Sequence, residues 1–128
     1  MKARYCLPVF GFAIILAAAT AASEAGPPCH RHAVLEAWLV ARSAEWDSRL
    51  AGIPGYERPG PLSVCQVTGG GPRSDGGRIY LPPIRGDEEL LCLAHEYVHL
   101  AFRHHPATRN EDFVERTARA LLLGEELQ

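Results

Sequence analysis

At 128 residues the chain has room for one ordinary domain and not for two. Lys and Arg number 13 against 15 Asp and Glu, a formal charge of −2, so nothing in the balance suits a polyanion and nucleic acid is not an expected partner.

The first 25 residues read as something other than fold. Lys2 and Arg4 form a short basic region, Leu7 to Ala19 is apolar apart from Pro8 and Gly11, and small residues follow to Ala25. This is the build of a secretory signal peptide, too short for a spanning helix. Cleavage after Ala21 or after Ala25 fits. The second is preferred because Gly26-Pro27-Pro28 follows and the chain then turns polar. The expected organisation is a signal peptide over 1–25 and a single domain over 26–128. The protein is then exported, to a bacterial periplasm or beyond, with no stable membrane insertion after cleavage. Losing Lys2, Arg4 and Glu24 makes the remainder one charge more negative.

Three cysteines remain: Cys29, Cys65 and Cys92. An oxidising compartment permits one bridge and leaves one thiol. Of the three pairings the residues leave open, Cys29 with Cys65 is preferred. Cys92 is expected to stay a free, buried thiol, though an odd cysteine also leaves a covalent dimer open. The oligomeric state is otherwise not readable.

From Cys29 to about Leu50, Leu35, Trp38, Leu39, Trp46 and Leu50 fall near one face of a 3.6-residue period, which predicts an amphipathic helix ended by Gly52, Pro54 and Gly55. Residues 52–61 are Pro- and Gly-rich loop. Leu62 to Val67 alternates and reads as a strand, and Arg78 to Leu81 as a second, stopped by Pro82-Pro83. The glycine-rich stretch between them suggests an antiparallel hairpin with a wide tip. A second helix starts near Asp87, where three acidic residues suit its N-terminus, and runs to His105 at most before Pro106. A third opens with Thr108-Arg109-Asn110-Glu111, a spacing that fits a capping box, and ends at Gly124.

The second helix is apolar on nearly all sides, and such a helix is buried. Its exceptions are His95, Glu96 and His99. His95-Glu96-Tyr97-Val98-His99 is an H-E-x-x-H motif. The two His lie one turn apart on one face and can share a zinc ion, while Glu96, rotated by about 100°, can reach a water held there and act as general base. A catalytic zinc usually has a third protein ligand. If the helix runs about 9 Å beyond His99 and the next returns antiparallel, a residue about 10 Å from Thr108 comes level with His99. That residue is Glu115. Glu111 falls about 6 Å short and is taken by the capping box, and Asp112 is short of the site as well. His104 and His105 read as structural, and Tyr80, Tyr97 and Arg103 as candidates for oxyanion or supporting roles.

With Glu115-x-x-Ala118 on the following helix, the motif resembles the gluzincin branch of zinc metallopeptidases. The resemblance implies a peptide or protein substrate, Zn2+ as cofactor, Glu115 as third ligand, and Ile79-Tyr80-Leu81 as the edge strand on which substrate backbone adds. The string from His95 through Arg103, with Asn110 to Arg116, is also similar to a family of predicted secreted bacterial proteins known only as a domain of unknown function. The expectation is an α+β, minimal zincin-like domain: an N-terminal helix, a small antiparallel sheet or hairpin, and a C-terminal helix pair carrying His95, His99 and Glu115 around Zn2+, with Glu96 catalytic. The rival is a secreted binding or accessory module with a structural zinc, in which the loop 69–77 is a contact surface.

Overall fold

The amphipathic segment after Cys29 forms helix α1, Ala33–Leu50, in the computed structural model, which describes Cys6, residues 28–83 and residues 86–127. Its N-cap is His32, whose ring nitrogen accepts from the Leu35 amide at 3.2 Å. The buried face carries Leu35, Leu39, Trp46 and Leu50, the apolar set the periodicity picks out. Just before it, His30–Arg31 forms a short strand, β1. The segment expected to be a signal peptide lies outside the described residues, apart from Cys6.

Ser63–Gln66 is β2, Arg73–Asp75 is β3 and Arg78–Leu81 is β4, in the sheet order β1-β2-β4-β3. The domain is α+β as expected, but the sheet is mixed. β2 pairs with β4 in parallel, Val64 opposite Ile79, so the expected antiparallel hairpin is corrected. The stretch read as its tip holds β3, which folds back antiparallel on β4 through the two-residue turn Gly76-Gly77. Both glycines have positive φ, 56° and 88°, as a tight hairpin turn requires. Ile79-Tyr80-Leu81 is therefore an interior strand, buried throughout, and β3 is the free edge on that side. Arg73-Ser74-Asp75 escapes a pattern reading because an exposed edge strand need not alternate apolar with polar.

Asp87–Ala101 is α2, and Glu111–Leu123 is α3, with the 3₁₀ turn Pro106–Arg109 between them. α2 stops at Ala101, four residues before the expected limit. The N-cap of α3 is Asn110, whose Oδ1 accepts from the Phe113 amide at 3.2 Å. Thr108 lies in the 3₁₀ turn, so the expected capping box does not form and Glu111 becomes the first helical residue. Gly124 closes α3 in the left-handed conformation, φ 69°.

The helices and sheet close over Leu39, Trp46, Val64, Ile79, Leu93 and Phe102, all essentially solvent-free. Trp46 of α1 packs on Tyr97 of α2, ring centroids 5.3 Å apart, and Phe102 meets Phe113 edge-on at 5.2 Å. Arg49 of α1 reaches the carbonyls of Ala120 and Leu121, each at 3.3 Å, at the end of α3 where unpaired acceptors collect. The Tyr56 hydroxyl donates to Asp47, and the Glu36 carboxylate, held by Arg31, accepts from the Val64 amide at 3.2 Å. No helix among the described residues is long and apolar enough to cross a membrane.

Two disulfides are present: Cys29–Cys65, the preferred pairing, and Cys6–Cys92. The second corrects the expectation of a free Cys92. Its partner sits in the stretch with the build of a signal peptide, whose cysteine is not expected to persist in the folded domain. Cleavage at Ala25 removes Cys6, which makes the thiol state of Cys92 a direct report on the N-terminus. Alkylation under denaturing, non-reducing conditions should modify no cysteine in the full chain and only Cys92 in a chain that begins at Gly26. Modification of Cys92 in the full chain would remove the Cys6–Cys92 bridge.

Candidate metal centre

α2 is held at the centre of the molecule by Leu91, Leu93, Tyr97, Val98 and Leu100, so its polar residues are carried inward with it. His95 is 1% exposed and Glu96 5%. Buried polar groups without partners cost free energy, so the partners they find describe the site.

Each imidazole is fixed through Nδ1. His95 Nδ1 lies 3.0 Å from Glu115 Oε2, and a carboxylate there accepts the ring N–H. Glu115 is steadied in turn by Arg119 Nε, 3.1 Å from Oε1. His99 Nδ1 lies 3.0 Å from Thr108 Oγ1, whose hydroxyl donates to the His99 carbonyl at 3.4 Å and so is left to accept from the ring. Both rings are thereby set with N–H at Nδ1 and a lone pair at Nε2. The Nε2 atoms turn towards Glu111: His95 Nε2 is 3.0 Å from Oε2, and His99 Nε2 is 3.3 Å from Oε1. Glu111 Oε2 is buried and, despite its closeness to His95, has no hydrogen-bond partner among the described residues. Three acceptors thus converge with no donor between them. His95, His99 and Glu111 offer ligand atoms within 4.8 Å of one another, a spacing one metal ion can bridge. Two imidazoles and a carboxylate are a donor set that suits zinc.

Glu115, expected as the third ligand, is not in this trio. The helix lengths explain the exchange. Because α2 ends four residues early, the chain turns back about 6 Å sooner, one helical turn, and Glu111 takes the level assigned to Glu115. Glu115, one turn further along α3, orients His95 instead.

The cleft has a volume of about 470 Å³. His95, Glu96, His99, Thr108 and Glu111 line it from the helices, Pro72 to Gly76 from the β3 segment, and Arg103 from the turn after α2. Burial raises the proton affinity of Glu96, against the opposing pull of a Ser74 hydroxyl bond from β3 and of His95. Burial draws the proton affinity of His95 down, but the Glu115 hydrogen bond and the carboxylates of Glu96, Glu111 and Glu115 outweigh it and raise it overall, a cluster of negative charge that a bound cation would answer equally. His99 is lowered by burial and by His95. Glu115 stays below the usual carboxylate range: burial would raise it, but His95 and Arg119 prevail.

Of the other candidates, Arg103 borders the cleft, whereas Tyr97 packs in the core on Trp46 and Tyr80 is buried in β4. His104 Nδ1 pairs with Glu57 Oε2 at 2.9 Å, and His105 Nδ1 caps the 3₁₀ turn by accepting from the Ala107 amide at 3.1 Å. Both are structural, as expected. Glu111, Thr108 and Ser74 join the site without a motif to announce them. For Glu111 the available signal was the Asn110 N-cap, which starts the helix one residue before it.

A family model described as "Predicted secreted protein (DUF2300)" matches residues 14–107. The match takes in His95, Glu96 and His99 and ends before Glu111. The chain is also 32% identical over 90 residues to the "Uncharacterized protein YfaQ" of Escherichia coli (strain K12), an alignment covering 69% of this chain and 16% of that protein. The chain thus spans well under two thirds of that relative's length. No solved structure matches.

Zinc titration of purified variants checks the assignment of the two carboxylates. Glu111→Ala should weaken binding most, and Glu115→Ala by about 10- to 100-fold, the loss expected of a residue that orients a ligand. The reverse order would return the ligand role to Glu115.

Proposed function

This chain belongs to the DUF2300 family of predicted secreted proteins, and from that premise and the cleft's chemistry we propose that it is a zinc-dependent hydrolase acting on peptide bonds. The protein is exported, and paired cysteines suit an oxidising compartment. The observation that carries the proposal is the convergence of His95 Nε2, His99 Nε2 and the Glu111 carboxylate, with no donor between them. Those three residues would hold the ion. Bound zinc supplies Lewis acidity, which polarises a carbonyl and lowers the pKa of water.

The chain's own residues account for the rest. Glu96 follows His95 on α2, lines the same cleft and has its proton affinity raised by burial, the direction that suits a general base taking a proton from water and returning it to a leaving amine. Ser74 of β3 lines the cleft with that carboxylate and opposes the rise in its proton affinity. Glu115 and Thr108 hold the imidazoles in the tautomer that leaves Nε2 free. β3 leaves one edge unpaired beside the cleft, where an extended peptide backbone can add. A peptide bond is favoured as substrate by this edge and by the resemblance of the motif to gluzincins.

Metal analysis of the purified protein should find about one zinc per chain, absent from His99→Ala. No zinc in the wild type, even after dialysis against the metal, would leave the trio as a buried polar network. Glu96→Gln should retain fold and zinc while losing hydrolysis by about 10²- to 10⁴-fold against a peptide library. Unchanged hydrolysis would remove Glu96 as the base, and zinc without hydrolysis in the wild type would favour a structural site.

A further inference from the structure

Cys92 lies on α2 three residues before His95, and Glu88 lies four residues before Cys92. At helical spacing the three fall on one stripe. Cys92 is fully buried and does not itself line the cleft. Cys6, disulfide-bonded to it, does, beside His95, Glu96 and His99. A cysteine from outside the expected domain therefore stands between the Cys92 sulfur and the open space of the cleft. Cleavage after either Ala21 or Ala25 removes that cysteine. It leaves a place fitted to one, with a thiol at its end.

The surroundings indicate what that place accepts. Glu88 Oε2 is buried and has no hydrogen-bond partner among the described residues. Two more carboxylates, Glu96 and Glu111, border the cleft. Of the cations on its border, Arg73 lies over the Tyr80 ring and Arg103 is drawn to Glu57, 3.9 Å away. A protonated amine a few bonds from an incoming sulfur would give Glu88 both a donor and an opposite charge.

We propose that Cys92, once Cys6 is gone, is a modification site for small disulfides of aminothiols, one half of which takes the position of Cys6. The Cys92 thiolate attacks one sulfur of such a disulfide. A new S–S bond joins that half to Cys92, the original S–S bond breaks, and the other half leaves, takes up a proton and becomes a thiol. Cys92 is oxidised and the departing half reduced, so no other oxidant enters. The adduct stands beside His95, Glu96 and His99, and a reducing thiol clears it. Its formation does not depend on the hydrolase reading.

The test uses exported protein, its N-terminus read by intact mass, and the full chain carrying Cys6→Ala. Each is incubated under native conditions with cystamine, a dication, or dithiodiglycolate, a dianion, and adducts are located by non-reducing peptide mapping. Both samples should gain about one half-cystamine per chain, at Cys92, and react about tenfold more slowly with dithiodiglycolate. Dithiothreitol should remove the adduct. Glu88→Gln should shrink the difference between the two rates with the melting temperature unchanged. The wild-type full chain, with Cys6 in place, should gain none. If export leaves the first 25 residues in place, the Cys6→Ala chain decides; if that variant folds poorly, the exported protein does. Modification of Cys92 only in denaturant overturns the proposal, as does equal reaction with the two disulfides, or a preference that Glu88→Gln leaves unchanged. Peptide hydrolysis by unmodified protein is read beside uptake. Uptake without hydrolysis keeps the thiol site and removes the hydrolase, and hydrolysis without uptake does the reverse.

Discussion

Burying one imidazole and a carboxylate, with a second imidazole half-buried beside them, in a largely apolar helix is the constraint on which the rest of the structure turns. α2 cannot place His95 and Glu96 in the interior unless each polar atom is answered. The answers come from three separate elements: Glu115 from α3, Thr108 from the connecting turn, and Ser74 from the edge strand. None of these contacts lies within α2. The close pairing of α2 with α3 is therefore also the means by which the Nδ1 sides of the imidazoles are satisfied, while Glu111 Oε2 is left without a partner among the described residues.

The same contacts separate holding from being held. Glu115 and Thr108 use the Nδ1 side of each ring, and Glu111 faces the Nε2 side of both. Arg119 extends the first of these chains outward by gripping Glu115. A layered arrangement of this kind fixes ring orientation by geometry on one side and leaves the other side chemically open.

Much of this was legible in the sequence. The apolar stripe of α1, the H-E-x-x-H spacing, the stop at Gly124 and the α+β class follow from periodicity and cap chemistry, whereas Cys29–Cys65 is a preference among three pairings that the residues leave open. What was not legible depends on where elements stop. Pro106 sets an outer limit for α2, but Phe102 already leaves helical geometry at φ −120°, and its ring is drawn into the core against Phe113. That tertiary contact moves the turn by four residues and exchanges Glu111 for Glu115. β3 was hidden for a different reason. Arg73 and Asp75 are exposed and Ser74 is only half-buried, so the strand needs no apolar face, and a polar segment among glycines looks like loop. The pairing of Cys92 is not legible because its partner, Cys6, lies in the stretch that has the build of a signal peptide.

The placement of β3 inside the connection between two parallel strands has an evolutionary consequence. β2 and β4 are in register with each other whatever the chain does between them, and β3 is joined to β4 by its own two-residue turn. Residues 67–72 can therefore lengthen or change composition at a cost that grows only as the logarithm of loop length, about 0.6 kcal/mol per doubling. Relatives can reshape one wall of the cleft in this stretch while α2, α3 and the residues that orient the imidazoles stay as they are. Diversity in what such proteins recognise is expected to accumulate between the second strand and the hairpin.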